Sequence, residues 1–198
     1  FVGSVTIGMD HVDEEYLKSR GIVFTNAAGC NANSVSEYVV AALLVLGQAR
    51  KFSLRHKSIA IIGAGRVGSA VATKARALGM SLHLCDPPLR ESTREPRYLF
   101  FEDVLDKDIL SLHVPLTSSG KYPTRHMIHK GILDRLNPQQ FLINAARGSV
   151  IHEPALKDAL NKKALSGAVL DVWEGEPRVD PTLLDLVDIG TPHIAGYS

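Results

Sequence analysis

Short apolar runs alternate with segments of helical period along most of the chain. The runs that predict strands lie at 58–62, 81–85, 109–112, 141–145, 168–172 and 187–190. The segments that predict helices lie between them, at 66–78, 101–106, 129–136 and 153–162. Proline-containing stretches at 86–97 and 115–123 predict loops. This order is typical of an α/β fold in which a doubly wound parallel sheet has helices on both faces.

A longer apolar segment precedes this pattern. Residues 33–52 read NSVSEYVVAALLVLGQARKF and predict one long helix. Asn33 or Ser34 is the expected N-cap, because Glu37 stands three residues after Ser34 as in a capping box. Such a helix is long enough to link two domains.

The first part of the chain predicts a small piece of α/β structure. It holds a strand at 1–7, a helix at about 13–19 and a strand at about 22–25, which is too little to close a core. The chain opens with Phe1 inside an apolar run. We therefore expect this part to be the remnant of a second α/β domain, and the chain to be a piece of a longer protein.

Composition narrows the possible partners. With 198 residues, 45% of them hydrophobic, the chain is able to bury a sizeable core. A net charge of +1 gives no field that would attract nucleic acid or a membrane surface, and no apolar run approaches the roughly 20 residues of a membrane span. Cys30 and Cys85 are too few for a disulfide framework or a zinc site. These features predict a cytoplasmic protein without nucleic-acid or membrane partners.

A glycine-rich turn connects the strand at 58–62 to the helix at 66–78. In GAGRVG, Gly63 permits a tight turn, Gly65 allows the backbone to approach a pyrophosphate, and Gly68 allows the helix to pack closely on the strand. The N–H groups at the start of the helix would face the phosphates. The pattern predicts a dinucleotide site, although a glycine-rich turn without a ligand is the alternative.

Asp86 follows the next strand, about 20 residues after the turn. There a carboxylate accepts hydrogen bonds from both hydroxyls of the adenosine ribose and repels a 2′-phosphate. This favours NAD over NADP, with Arg90 as the one opposing feature. The alternative for Asp86 is a turn former before Pro87 and Pro88, which are expected to end the strand.

Three ionisable residues follow three separate predicted strands: Arg147, Glu176 and His193. The carboxyl ends of parallel strands share one edge, so we expect these side chains to converge beside the dinucleotide. An arginine grips a carboxylate, a histidine carries a proton near neutral pH, and an acid orients the histidine ring. Taken singly, each is equally well explained as an exposed charge, a solvated acid or a loop histidine.

Together these groups predict one reaction. A hydride leaves C2 of a 2-hydroxy acid for NAD, while His193 takes the hydroxyl proton and Arg147 holds the acid group. The other histidines have no spacing that suggests a metal site, and Ser69 lies inside a helix rather than at a nucleophile elbow.

Motifs along nearly the whole chain resemble the D-isomer-specific 2-hydroxyacid dehydrogenases. They are GxDHVD at 8–13, GAGRVG at 63–68, SLHVPLT at 111–117, NAARGSVIHEPAL at 144–156, LDVWEGEP at 170–177 and TPHIAG at 191–196. Other stretches resemble members with a phosphorylated 2-hydroxy acid as substrate: AAGCNANSVSEYV at 27–39, CDPP at 85–88 and PTRHM at 123–127. The resemblance implies an NAD-dependent dehydrogenase.

The resemblance also implies roles for individual positions. The catalytic residues would be Arg147, Glu176 and His193, with His193 as the proton donor in the reductive direction. The cofactor-binding residues would be Gly63, Gly65, Arg66, Val67, Gly68, Asp86, Val114, Asp171 and Gly196. Thr6 and Tyr197 would bind substrate. A strand-end turn is the alternative for Asp171, burial for Val114 and an outward position for Thr6.

The predicted domain organisation follows the same resemblance. It comprises a partial substrate domain at 1–32, a linking helix at 33–56, an NAD-binding domain at 57–195 and the start of a return to the substrate domain at 196–198. Relatives carry further βα units before Phe1 and a dimerisation region after Ser198. We therefore expect a homodimer for the full-length protein and an inactive fragment for this chain alone.

Two alternative functions stay open from the sequence. One is a dehydrogenase for another D-2-hydroxy acid, such as glycerate or 3-phosphoglycerate. The other is an NAD-sensing protein that regulates partners. The presence of all three catalytic residue types argues against the second.

Overall fold

The structure is a computed structural model that describes residues 1–4, 8 and 12–197. Its strands are β1 Val2–Ser4, β2 Phe24–Asn26, β3 Ser58–Ile62, β4 Ser81–Cys85, β5 Tyr98–Leu99, β6 Ile109–Leu112, β7 Phe141–Asn144, β8 Gly167–Leu170 and β9 Ile189–Gly190. Its α-helices are α1 Glu14–Ser19, α2 Ala32–Ala49, α3 Arg66–Ala77, α4 Pro87–Thr93, α5 Lys130–Leu133, α6 Glu153–Asn161 and α7 Pro181–Leu184. Short 3-10 helices lie at Phe101–Val104 and Gly148–Val150.

Seven of these strands form one parallel sheet in the order β5-β4-β3-β6-β7-β8-β9. β1 and β2 pair in parallel as a separate two-stranded sheet. The chain winds from β3 toward one edge of the large sheet and then returns to build the other half from β6. A crevice therefore opens beyond the carboxyl ends of β3 and β6, where ligands bind in doubly wound folds. The predicted fold class is confirmed.

Residues alternate along the central strand between two buried layers. Ile59 and Ile61 of β3 pack in the cluster that includes α2 and α3, whereas Ala60 and Ile62 pack in the cluster on the opposite face, which includes α5 and α6. Because both faces are covered, the strand has the continuous apolar sequence that predicts a buried strand.

The long helix α2 begins slightly earlier than predicted. Asn31 is its N-cap, and neither Asn33 nor Ser34 takes that position. Asn33 instead donates from Nδ2 to Oε1 of Glu37 at 2.7 Å, one turn along the helix. Glu37, the expected partner in the capping box, thus forms a hydrogen bond within the helix instead.

α2 also has the length and apolar composition of a candidate membrane span, contrary to the expectation that no segment approaches them. Half of the segment is buried in the structure. Val39, Leu43 and Leu46 are at most 1% exposed and belong to the core cluster beside β3. The apolar content of α2 is therefore used largely in packing against the sheet.

The stretch at 86–97 is not a loop throughout, because α4 occupies Pro87–Thr93. Pro87 and Pro88 fill the first positions of this helix, where the missing N–H of proline costs no hydrogen bond. Prolines predicted to end a strand thus also start a helix. The other proline-containing stretch, 115–123, is irregular as predicted.

Asp108 joins the amino-terminal ends of β3 and β6. Its carboxylate accepts from Lys57 Nζ at 2.6 Å and from the Ser58 N–H at 2.8 Å and hydroxyl at 2.6 Å. Burial alone would raise the pKa of Asp108, but these hydrogen bonds outweigh it and lower the pKa to about 2. The ionised carboxylate therefore stabilises the central strand pair.

We expect Asp108→Asn to lower the free energy of unfolding by about 1–2 kcal/mol at pH 7. The pKa of Asp108 is depressed in the folded protein, so its contribution is fully present above an unfolded-state pKa of about 3.9 and is lost as pH falls toward 2. Urea unfolding of wild type and variant at pH 7 and pH 3 measures this difference. Asp134→Asn removes an exposed pair with Lys130 and should change stability by less than about 0.5 kcal/mol. Equal stability of Asp108→Asn and wild type at pH 7 would contradict the assignment.

Candidate active site

The glycine turn lies at the crevice and has the geometry that its sequence predicts. Gly63 has φ +91°, and a Cβ atom there would lie 2.5 Å from the carbonyl oxygen of His113. A Cβ atom at Gly68 would lie 1.9 Å from the carbonyl oxygen of Gly63. At Gly65, the N-cap of α3, a Cβ atom would meet no described protein atom within 4 Å. The turn is thus tightly packed at Gly63 and Gly68, whereas the space next to Gly65, at the start of α3, is open.

Asp86 connects the end of β4 to this turn. Its Oδ2 accepts from the N–H of Ala64 and its Oδ1 from the N–H of Leu89, both at 2.9 Å. Asp86 is therefore the N-cap of α4, a local structural role close to the alternative of a turn former. A carboxylate oxygen has two lone pairs and each oxygen of Asp86 accepts one of these two hydrogen bonds, so capacity for ribose hydroxyls remains.

Arg90 is held by neighbouring protein groups. Its Nη1 donates to the carbonyl of Tyr98 at 2.5 Å, and its guanidinium carbon lies 4.7 Å from the ring centroid of Phe100. The one sequence feature that opposed NAD is thus engaged elsewhere.

The end of β6 forms the other side of the turn. Val114 Cγ1 lies 3.0 Å from the Cβ position at Gly63, so this predicted residue lies beside the glycine turn. His113 Nε2 lies 2.8 Å from the hydroxyl of Ser111, and burial lowers the pKa of His113 to about 4. The imidazole is therefore neutral near pH 7 and places no charge beneath the turn.

Glu176 and His193 form a direct pair at the same edge of the sheet. Glu176 Oε2 lies 2.8 Å from His193 Nδ1, and Glu176 Oε1 accepts from the N–H of Trp173 at 2.9 Å. The His193 side chain is 47% exposed. With Nδ1 directed at the carboxylate, Nε2 is the nitrogen available for proton exchange with a substrate.

Asp171 supports the loop that carries His193. The side chain is 1% exposed, and its oxygens accept from the N–H groups of Ile194 at 2.8 Å and Ala195 at 2.9 Å. Thr191 Oγ1 donates to it at 2.6 Å. The backbone carbonyl of Asp171 also accepts from the N–H of His193 at 2.7 Å. Asp171 thus stabilises the loop from a buried position, and its predicted role in binding the cofactor stays a prediction.

Arg147 lies where the small sheet's segment meets the large sheet. A Cβ atom at Gly8 would lie 1.6 Å from Arg147 Nη2, so the guanidinium rests directly on the backbone of Gly8. Nη1 donates to the carbonyl of Ala146 at 2.7 Å, and Asn144 Nδ2 donates to the carbonyl of Arg147 at 2.9 Å. Gly8 is a residue whose role the sequence did not reveal beyond its place in the GxDHVD motif.

Trp173 joins the loops that carry the three predicted catalytic residues. A Cβ atom at Gly148, next to Arg147, would lie 2.0 Å from the backbone carbonyl of Trp173. The indole Nε1 of Trp173 donates to the carbonyl of Thr191 at 2.9 Å, two residues before His193. The structure therefore brings the loops of Arg147, Glu176 and His193 into contact, as expected for residues that follow strand ends. The contacts are made by Trp173 and Gly148, for which the sequence predicted no role.

The remaining predicted cofactor-binding and substrate-binding residues differ in their exposure and contacts. Arg66 is exposed and donates to the carbonyl of Ala28, while Val67 packs on the core. A Cβ atom at Gly196 would lie 2.9 Å from Asn31 Nδ2, and Tyr197 is 80% exposed. Thr6 lies outside the described residues. Among the residues described, no group of three His, Cys, Asp or Glu side chains is placed to hold a metal ion.

A parallel sheet with a glycine turn at its switch point and a Glu–His pair at the same edge defines a dinucleotide-binding fold of the dehydrogenase class. Residues 39–195 match the family model described as "D-isomer specific 2-hydroxyacid dehydrogenase, NAD binding domain". The chain therefore belongs to the D-isomer specific 2-hydroxyacid dehydrogenases and carries their NAD-binding domain. The resemblance inferred from the motifs and the expected cofactor, NAD, are confirmed at this level.

Two curated relatives of this chain carry the same name. The chain is 50% identical over 198 residues to erythronate-4-phosphate dehydrogenase of Psychromonas ingrahamii and 47% identical over 199 residues to that of Salmonella arizonae. All of this chain is covered in both comparisons, but only 52% and 53% of the relatives. The chain thus spans about half the length of the curated relatives it matches.

Solved structures share the fold across the whole chain. D-lactate dehydrogenase from Aquifex aeolicus, complexed with NAD and lactic acid, matches at a TM-score of 0.82 and 29% identity, with 100% of this chain and 70% of that chain covered. NADPH-dependent glyoxylate/hydroxypyruvate reductase from Sinorhizobium meliloti, in complex with NADP and malonate, matches at 0.83 and 30% identity, with 100% and 68% covered.

Proposed function

We propose that the full-length protein containing this chain oxidises 4-phospho-D-erythronate to 2-oxo-3-hydroxy-4-phosphobutanoate with NAD, a step of pyridoxine biosynthesis. The identity to erythronate-4-phosphate dehydrogenases supports the substrate. The observation that carries the chemistry is the 2.8 Å pair of Glu176 and His193 at the carboxyl edge of an NAD-binding sheet.

The residues present fit the cofactor. Gly65 leaves open space over the start of α3 for a pyrophosphate, and Asp86 stands at the end of β4 for the adenosine ribose. Gly63, Gly68 and Val114 shape the turn beneath. Because Asp86 would repel a 2′-phosphate and Arg90 is engaged by Tyr98, we assign NAD rather than NADP. When bound, NAD supplies the acceptor for the hydride that leaves C2 of the acid.

The residues of this chain perform the remaining tasks. Nε2 of His193 accepts the proton of the C2 hydroxyl, while Glu176 fixes the ring through Nδ1 and stabilises the imidazolium that forms. Arg147 binds the carboxylate of the acid beside Gly8. Asp171 positions His193 by binding the loop that carries it.

The domain division predicted from the sequence belongs to this proposal: substrate domain at 1–32, linking helix at 33–56, NAD-binding domain at 57–195 and return at 196–198. The contact of Arg147 with Gly8 supports an acid site between the first and third of these segments. Thr6 and Tyr197 are the proposed substrate ligands contributed by the first and last. A cytoplasmic homodimer is the proposed state of the full-length protein.

A substrate screen on the full-length protein tests this function. We expect kcat/KM with NAD to be about 10²-fold or more higher for 4-phosphoerythronate than for D-glycerate, 3-phospho-D-glycerate or D-lactate, and higher with NAD than with NADP. Preferred turnover of another acid would make the protein a different D-2-hydroxyacid dehydrogenase. NAD binding without turnover of any acid would favour an NAD-sensing role.

A further inference from the structure

The turn Trp173–Glu176 carries two acidic side chains, and each of them pairs with an imidazole. Besides the pair of Glu176 and His193, Glu174 Oε1 lies 2.6 Å from His126 Nε2. Gly175 separates the two acids and has φ +81°, a conformation that favours glycine. The second pair has no part in the proposed reaction, yet it contacts the same short turn.

Glu174 is held at both its side chain and its backbone. Its N–H donates to Oε1 of Glu153, the first residue of α6, at 2.5 Å. Burial alone would raise the pKa of Glu174, but the hydrogen bond with His126 and the nearby charge of Arg125 outweigh it, so that the pKa is lowered. Glu174 is therefore an ionised partner for His126, and Glu153 fixes the turn from the opposite side.

His126 is itself fixed by two neighbouring segments. Its N–H donates to the carbonyl of Ser149, two residues after Arg147, at 2.7 Å. Its ring meets the ring of His152 edge to face, with centroids 4.9 Å apart. His152 is the N-cap of α6. His126 thus connects the loop of Arg147 and the start of α6 to the turn that carries Glu176.

The backbone of His126 resembles that of His193. Both have positive φ, 51° and 56°, which costs a non-glycine residue about 1 kcal/mol. Other described non-glycine residues with positive φ include Lys51, Arg94 and Lys163, which lie just after α2, α4 and α6, where this conformation is common. The two histidines paired with the turn lie at no such helix end.

We propose that His126 is a positioning residue: through Glu174 it fixes the Trp173–Glu176 turn and so sets the Glu176 carboxylate against His193. The reason is that Glu176 Oε1 is bonded to the N–H of Trp173, so the side chain moves with the turn. This inference rests on the proposed function, because it assigns a role in the proton transfer by His193.

The variant His126→Asn in the full-length protein tests it. Asparagine tolerates positive φ but does not reach Glu174 as the imidazole does. We expect kcat to fall about tenfold, because small displacements of a reacting group are costly, while KM for the acid and Kd for NAD change less than about twofold. Glu174→Ala, which removes the partner of His126, should give the same loss. His56→Asn is the matched control. His56 is exposed, has φ 72° and precedes β3, so it lies near the amino-terminal ends of the strands, away from the candidate site at their carboxyl ends.

A double-mutant cycle separates positioning from a general structural role. In a Glu176→Gln background, His126→Asn should lower kcat by less than a further twofold, because the interaction it supports is already lost. Unchanged kcat in His126→Asn, an equal loss in both backgrounds, or a parallel loss of NAD affinity would each overturn the inference. If wild type oxidises 2-hydroxy acids normally, these outcomes leave the proposed function standing; if wild type oxidises none, both proposals fail.

Discussion

His193→Ala in the full-length protein is expected to lower kcat by about 10²-fold or more while Kd for NAD changes less than about twofold. His193 is the proposed proton carrier, and its Nδ1 is committed to Glu176 at 2.8 Å. The dinucleotide turn at Gly63–Gly68 lies on β3 and α3, so removal of the imidazole leaves it intact. Steady-state kinetics and NAD titration of the same preparations measure the two effects.

Two further variants make this result specific. Because His193 has φ 56°, alanine there adds backbone strain, and His193→Asn should give the same kinetic loss with less strain. His56→Asn, another histidine with positive φ, should keep wild-type turnover. Equal losses of turnover and NAD affinity in His193→Asn would argue against a role in proton transfer.

Gly68→Ala is expected to lower the free energy of unfolding by about 2–3 kcal/mol and to weaken NAD binding at least about tenfold. A Cβ atom there would lie 1.9 Å from the Gly63 carbonyl oxygen and 3.0 Å from Ile61 Cγ2. The first turn of α3 must therefore move off β3, and the N–H groups that would face the pyrophosphate move with it. Urea unfolding and NAD titration measure both losses.

Gly65→Ala provides the contrast. Gly65 has φ −68°, and a Cβ atom there meets no described protein atom within 4 Å, so stability should stay within about 0.5 kcal/mol of wild type. NAD affinity should nevertheless fall about tenfold or more, because the added methyl group occupies the space assigned to the pyrophosphate. Wild-type stability of Gly68→Ala, or unchanged NAD affinity of Gly65→Ala, would contradict these assignments.

The sequence predicted the central part of the fold well because its strands are buried on both faces. Ile59 to Ile62 form an unbroken apolar run, and Gly63 and Gly68 occupy positions where the packing leaves no room for a side chain. The sequence does not predict α4, because Pro87 and Pro88 after an apolar run indicate the end of a strand. Proline after a strand is compatible with a loop or with the first turn of a helix. Here the Asp86 side chain caps the helix by accepting from the N–H of Leu89, and the sequence pattern does not show this contact.

The convergence of the candidate site's loops could be predicted from the sequence, but the contacts that support these loops could not. Glu176 and His193 follow strand ends, so their convergence could be inferred from topology alone. The supporting contacts are made with residues distant in sequence or with the backbone of a neighbouring loop, as at Asp171, Gly148 and Gly8. No local spacing in the sequence predicts such contacts. Asp171 illustrates this, because a strand-end acid looks the same in sequence whether it faces a ligand or a loop.

Asp171, the Trp173–Glu176 turn and the loop of His193 contact one another, and the turn also contacts His126 and Glu153. The residues proposed to transfer the proton and those that hold them therefore all follow β2, whereas Arg147, the proposed ligand of the acid's carboxylate, contacts Gly8 in the amino-terminal lobe, residues 1–32. Under the proposed function, proton transfer and the choice of acid are then separable. A chimera that exchanged the amino-terminal lobe for that of another family member should inherit a new acid preference while keeping its proton transfer.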